Sequence, residues 1–357
     1  MERRVAVVEH LTDGAGVRAA SRLTRVHKTT ILSLILKLGE GCSRLHNRRV
    51  RGLSINRIEC DEMHSFIHTR EKNLSPYVPP PSPEHGESWL WLGIASTAKL
   101  IISYRCAPTR DEQDAEALIK DLRGRLNTIP VINTDGLESY VGPIKRWFGG
   151  PGGGVDYAQV VKSFPGRRGK DYDRYAPPTK PMVAKRPVFG APDMDECSTS
   201  FMERTNLSVR TCLRRFVRRG TGHSKTLRHH AAMVAIFVAW FNFCRIHETL
   251  RCTPAMQAGL SDHVWSVEEL IDAALAAEPC EPPEPKPLAP RPGAPKATER
   301  KTSTGVRLKA IDGGKAPPRA RDPLPPRGHQ VDLWEVLRRA KEREEEVGSP
   351  PADKPPK

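Results

Sequence analysis

From Val5 to Leu38 apolar residues return every three to four positions in three segments, which are parted by Gly14 and Gly16 and by a short polar turn. The spacing predicts three helices. Val17, Ala20 and Leu23 pack the second, Thr24 to Val26 turn, and Ile31, Leu34 and Ile35 bury one face of the third, with Gly39 and Gly41 expected to end it. This outline is a helix-turn-helix, whose last helix would present Lys28, Thr29, Thr30 and Ser33, with His27, to base edges in a major groove.

After a basic connector, Arg44 to Arg51, the period changes to two and then alternates with helical spacing. RIECDEMHSFIH, SWLWLGIAST and LIISYRCAP read as a three-stranded meander. DEQDAEALIKDLRGRL is a helix, PVINTDG a fourth strand, ESYVGPIKRWFG a second helix, and DYAQVVKSF a fifth strand. Helical spacing returns from about Phe201 to Arg219 and from His223 to Cys244. Two Pro/Gly-rich inserts, Leu74–Glu87 and Pro165–Pro192, read as surface loops. Past Glu278 the chain holds about half of its 33 prolines and reads as a disordered basic tail with one short helix, Asp332 to Val347. The predicted class is α/β, with a mixed sheet and flanking helices. The predicted divisions are 1–43 for the helix-turn-helix, 52–220 for the α/β domain, 221–277 for a helical extension and 278–357 for the tail.

Composition narrows the partners. With 57 Lys and Arg against 42 Asp and Glu, the 357-residue chain carries a formal charge of +15, which suits a polyanion, and nucleic acid leads that class. No run of apolar residues is long enough to span a bilayer, and the MERR start lacks a secretory signal, so the expectation is a cytoplasmic, nucleoid-associated protein without a membrane partner. Eight scattered cysteines without a CxxC pair argue against a zinc ribbon and a disulfide framework.

Three acids then stand out by topological order: Asp61 within the first strand, Asp135 at the end of the fourth, and Glu203 on the helix after the fifth. A ribonuclease-H-like nuclease needs carboxylates at those places. Cutting a phosphodiester requires an activated nucleophile and charge relief on the leaving oxygen, which two Mg²⁺ or Mn²⁺ ions supply, and such hard cations take oxygen ligands. Each acid also has a bland reading. Glu62 beside Asp61 suggests a solvated acidic pair, TDG is an ordinary turn, and Ser200 with Glu203 is a capping box. Together, in this order, the three favour a site. Arg210 and Arg214 would follow Glu203 along one helix face toward the phosphates, within a basic run that includes Arg215, Arg218 and Arg219. Trp89 and Trp91 are expected in the core, and His64 and His68 on the surface.

The segments IECDEMHSFI, VINTDGLESYVGPIKRWFG and MERTNLSVRTCLRRFVRRGTGHSKTLRHHAAM resemble the three catalytic blocks of insertion-sequence DDE transposases close to the IS-one family. The third block, with E-R-x-N-L and a later N-x-x-R-x-H at Asn242 to His247, is the most distinctive, and the likeness spans about Val5 to Ala274. The resemblance implies that Asp61, Asp135 and Glu203 hold the metals. It further implies strand cleavage and transfer to target DNA, double-stranded element ends as partners, and a homo-oligomer that joins two ends. The proline-rich inserts and the tail differ from the compact family pattern. Three rivals remain: a non-catalytic DNA-binding regulator derived from a transposase, a nuclease acting on RNA/DNA hybrids, and an interaction scaffold built on the tail.

Overall fold

The computed structural model describes residues 1–74, 84–149, 154–163, 182–217, 220–288, 297–301 and 307–311. The expected helix Asp332 to Val347, Arg218, Arg219 and most of both inserts lie outside the described residues.

Three helices open the chain: α1 (Glu2–Thr12), α2 (Val17–Thr24) and α3 (Lys28–Arg49). Ala20, Ile31 and Ile35 are buried as expected, whereas Leu23 is 63% exposed. The helix expected to stop at Gly39 and Gly41 runs on to Arg49 and absorbs most of the basic connector. Its glycines are contact points. A Cβ on Gly39 would lie 2.5 Å from the Ala232 Cα, and one on Gly41 would lie 2.2 Å from the Ala274 carbonyl oxygen. The stripe Ile31, Ile35, Leu38, Cys42 and Leu45 continues through both glycines at helical spacing, so burial along α3 carries the helix past them.

The sheet is assembled from β1 (Arg57–Ile67), β2 (Gly86–Ala95) and β3 (Ile101–Ala107), a meander; then α4 (Glu112–Arg125), β4 (Val131–Thr134), α5 (Val141–Phe148), β5 (Asp156–Ser163) and β6 (Met182–Phe189). Strand order is β3-β2-β1-β4-β5-β6. The meander is antiparallel, β4 runs parallel to β1, and β5 runs parallel to β4. This is the ribonuclease-H-like mixed sheet that the element order predicted. β6 was not predicted. It lies in the stretch read as a loop and pairs antiparallel with β5, its side chains largely exposed, which leaves no alternation of buried and exposed positions for a period-two reading to detect. The Asp111 carboxylate accepts the Asp114 N–H and starts α4.

Four more helices complete this unit: α6 (Ser200–Cys212), α7 (Leu227–Phe243), α8 (Pro254–Gln257) and α9 (Val267–Leu275). Met233 through Ala239 are all buried, because α7 is sandwiched between α3 and β3. Asn242, at its end, donates to the Ile101 carbonyl at 2.9 Å and accepts the Ile101 N–H at 3.0 Å, so an amide side chain pairs with edge strand β3 as a neighbouring strand would. The first tail residues pack on this unit: Asn47 donates to the Cys280 carbonyl, and a Cβ on Gly124 would strike the Pro283 carbonyl. Met1–Ala294 form one compact unit and Pro295–Lys357 a second, in which β7 (Ala297–Lys301) and β8 (Arg307–Ile311) make an antiparallel hairpin. No described helix is long and apolar enough to cross a membrane.

Buried His230 sits between two hydroxyls, Ser65 at 3.2 Å and Ser224 at 2.9 Å, and burial lowers its pKa to about 3. A folded pKa below the unfolded one means that the unfolded chain binds the extra proton as pH falls. Stability should therefore decline below pH ~6.5, by about 2 kcal/mol at pH 5 from this group. Thermal melts at pH 7.5 and 5 check this, and an H230Q variant that loses melting temperature in acid as steeply as the parent chain would show that His230 is not the cause.

Candidate metal centre

In the parallel pairing of β1 with β4, Cys60 lies opposite Thr134, so the next residues are brought side by side, Asp61 in the middle of β1 and Asp135 just past the end of β4. Carboxylate oxygens of Asp61, Glu62 and Asp135 lie within 4.8 Å of one another. The bland reading of Asp61 and Glu62 was a solvated acidic pair, and Glu62 does not fit it. It is buried, its side chain 1% exposed, and it enters the cluster from the face of β1 opposite Asp61.

Each acid is held by a different element. Asp61 accepts from the Asn206 amide of α6 at 2.6 Å. Asp135 accepts the Leu137 N–H at 3.0 Å in the TDG turn, so the turn reading and the site reading describe the same residue. Glu62 accepts from the Tyr140 hydroxyl at 3.1 Å and from Arg110 Nε at 2.7 Å, with Arg110 Nη2 on the same oxygen. Arg110 also reaches Asp135 at 3.6 Å and lies over the Trp89 ring, 5.1 Å from its centroid. Trp91 is wholly buried and meets Tyr140 edge-on.

Glu203 stands in the first turn of α6, 49% exposed, and lies outside the group of oxygens within 4.8 Å. Its carboxylate pairs with Lys162 of β5 and accepts from the Thr199 hydroxyl at 3.1 Å. The Ser200 capping box does not form: Thr199 is the residue before the helix, and the Met202 N–H is taken by Glu59 of β1 at 2.8 Å. Glu59, two residues before Asp61 and on its face, thus ties α6 to the strand that carries Asp61.

Electrostatics mark the cluster as short of positive charge. Burial first, then Asp135, push Asp61 up to about 7, and Glu203 adds a smaller upward push. Burial, then Asp135 and Asp61, push Glu62 up to about 8, with Arg110 opposing. Like charges this close are relieved by a cation. The donors are all carboxylate oxygens, which suit a hard divalent ion such as Mg²⁺ or Mn²⁺ better than a thiophilic metal.

The remaining predicted site residues are scattered. Arg214 does not extend the Glu203 face, because α6 ends at Cys212, Leu213 is extended, and Arg214 begins a separate 3-10 turn. Its side chain lies beside Gly222. Arg210 remains on α6. Arg215 turns inward, donating to the Ser224 hydroxyl at 3.0 Å and the His229 carbonyl at 2.7 Å. Lys28, Thr29, Thr30 and Ser33 lie on the first turns of α3; Lys28, Thr29 and Thr30 are exposed, and His27 caps the helix by accepting the Thr29 N–H. His64 and His68 are exposed, as expected. Sequence reasoning missed Glu59, Arg110, Lys162 and Asn206. Only Asn206 carried a signal, as the Asn of E-R-x-N-L, one turn beyond Glu203.

No protein-family model and no curated protein matches the sequence. Among solved structures, the chain is similar to the Mos1 strand transfer complex, at 13% identity over 38% of this chain and 52% of that one, with a TM-score of 0.17. It is also similar to the Mos1 transposase paired-end complex with left transposon end, at 13% identity over 40% and 56%, TM-score 0.18. A third is the piggyBac transposase synaptic complex with hairpin DNA, at 10% identity over 61% and 51%, TM-score 0.28. The chain spans about half the length of each.

Proposed function

We propose that this chain is a DNA transposase of the DDE type, close to the insertion-sequence IS-one group, which cleaves and joins element-end DNA with two Mg²⁺ or Mn²⁺ ions. One observation carries the reading: Asp61 in the middle of β1 and Asp135 at the end of its parallel neighbour β4, far apart in sequence, meet where their mutual repulsion invites a cation. When bound, the ions would activate the attacking oxygen and offset charge on the leaving one. Asp61 and Asp135 would hold them and Asn206 would orient Asp61. Glu203, one turn before Asn206 on α6, would complete the set by leaving Lys162, an exchange between two exposed partners that costs little.

The exposed first turn of α3, with Lys28, Thr29, Thr30 and Ser33, would read bases, while the basic surface holds phosphates in a salt-dependent manner. Joining two ends calls for two copies of the chain. The regulator reading retains DNA binding and predicts no cleavage. The test is nicking of supercoiled plasmid by the purified full chain. It should require Mg²⁺ or Mn²⁺, stop with a chelator, and fall by about 10²-fold or more in a Glu203→Gln variant that still binds duplex DNA. Metal-independent nicking, or an E203Q variant as fast as its parent, sinks the assignment of Glu203.

A further inference from the structure

The acids that lie closest together are Asp61, Glu62 and Asp135, which makes Glu62 look like a metal ligand. Its hydrogen bonds say otherwise. One Glu62 oxygen accepts from the buried Tyr140 hydroxyl and the other takes both Nε and Nη2 of Arg110, so both oxygens are satisfied by protein donors. It enters the cluster from the opposite face of β1 to Asp61. Arg110 is placed with matching care. It sits at the mouth of α4, just after β3, with the Trp89 ring beneath its guanidinium, and the Ser139 hydroxyl donates to its carbonyl. Its side chain remains 39% exposed, and among the described residues its Nη1 has no protein partner. A planar cation whose Nε and Nη2 are held by Glu62, with that same Nη2 3.6 Å from Asp135, keeps Nη1 to offer and has the geometry with which arginine grips a phosphate.

We propose that Glu62 is the anchor of Arg110 and not a metal ligand, and that Arg110 is a catalytic residue which binds the phosphate being cut beside Asp61 and Asp135. The inference rests on the metal-dependent reading of that site. A guanidinium prepared in advance stabilises charge as it grows on the phosphoryl oxygens, without reorganising at the moment of reaction. Glu62 neutralises it locally and holds its orientation, taking the two shorter contacts while Asp135 is reached only at 3.6 Å. Burying Glu62 is tolerable because both of its oxygens accept hydrogen bonds and one of them is paired with a guanidinium.

Four variants of the full chain, E62Q, R110A, R110K and R110A/E62Q, test this beside D135N. The first readout is Mn²⁺ affinity without DNA, by titration calorimetry or electron paramagnetic resonance; the second is single-turnover Mn²⁺-dependent nicking of supercoiled plasmid. E62Q and R110A should keep Mn²⁺ affinity within about threefold of the parent, whereas D135N should lose at least about tenfold. R110A should slow nicking by about 10² to 10³-fold at saturating Mn²⁺, and R110K should recover part of that loss. The double variant should be no slower than R110A, since Glu62 acts through Arg110. If E62Q loses Mn²⁺ as D135N does, Glu62 is a ligand and the proposal fails. It fails equally if R110A nicks at the parent rate, or if R110A loses metal affinity in step with nicking. Melting temperatures exclude misfolding, and the Mn²⁺ titration decides the role of Glu62 even where no nicking is seen. If D61N and D135N both nick at the parent rate, the metal reading itself falls, which is a separate outcome.

Discussion

Replacing Asp61 or Asp135 by Asn should lower metal-dependent DNA nicking by at least about 10³-fold while raising, or leaving unchanged, the melting temperature of the protein. The two halves of this result have one cause. Asp61 is largely buried, faces Asp135, and is pushed up to about 7. A carboxyl whose folded pKa exceeds its unfolded value near 4 makes folding less favourable once it ionises, so at pH 8 the charged acid destabilises the chain. Asn removes that charge, keeps the shape, and still presents an oxygen to the Asn206 amide, which donates to Asp61 at 2.6 Å. The same change removes a ligand from a site whose other oxygen donors are few. Plasmid nicking with Mg²⁺ or Mn²⁺, scored with thermal melts at pH 8 and DNA binding by fluorescence anisotropy, separates the outcomes. A D61N protein that nicks normally ends the catalytic reading. One that loses activity together with several degrees of melting temperature shows that Asp61 is structural.

Gly39→Ala is the second large effect, and its sign runs against helix propensity. Alanine is the better helix former by about 1 kcal/mol, so at an exposed position the substitution would stabilise α3. Here the added methyl would stand 2.5 Å from both the Cα and the Cβ of Ala232 and 2.6 Å from its carbonyl oxygen. No flexible side-chain end is available to move, so two helix backbones must separate. The expected net loss is about 2 kcal/mol or more, typical of overpacking, and Gly41→Ala against the Ala274 carbonyl should behave alike. Urea unfolding checks both. A G39A variant as stable as its parent would mean that α3 and α7 are not in close contact. Because α3 starts with the residues proposed to read DNA, the separation should also weaken DNA binding.

The order of strands and helices was legible because each half-buried element repeats its apolar residues at its own period, two or about 3.6, and that repetition is local. β1 through β5, α4 and the end of α7 follow directly from it. Asp61 and Asp135 were legible for a related reason: their positions on β1 and after β4 are fixed by topology, and the parallel pairing sets the end of β4 level with the middle of β1. Three things were not. β6 has no buried face to alternate. Gly39 and Gly41 look the same in sequence whether they end a helix or admit another one, and only the approach of α7 and α9 distinguishes these. Glu62 and Arg110 come from separate elements, the one buried because the other neutralises it, and no local pattern encodes such a pair.

The sequence by itself thus determined the alternating α/β order, the basic character and which acids stand within the first strand and at the end of the fourth, since periodicity and charge are properties of short segments. Only the tertiary structure decided which acids share a cluster, that Lys162 holds Glu203 and Arg110 holds Glu62, and that two glycines are contact points. Those outcomes depend on distances between segments remote in the chain. Such distances are set by the packing of the whole core, to which every element contributes and which none specifies alone.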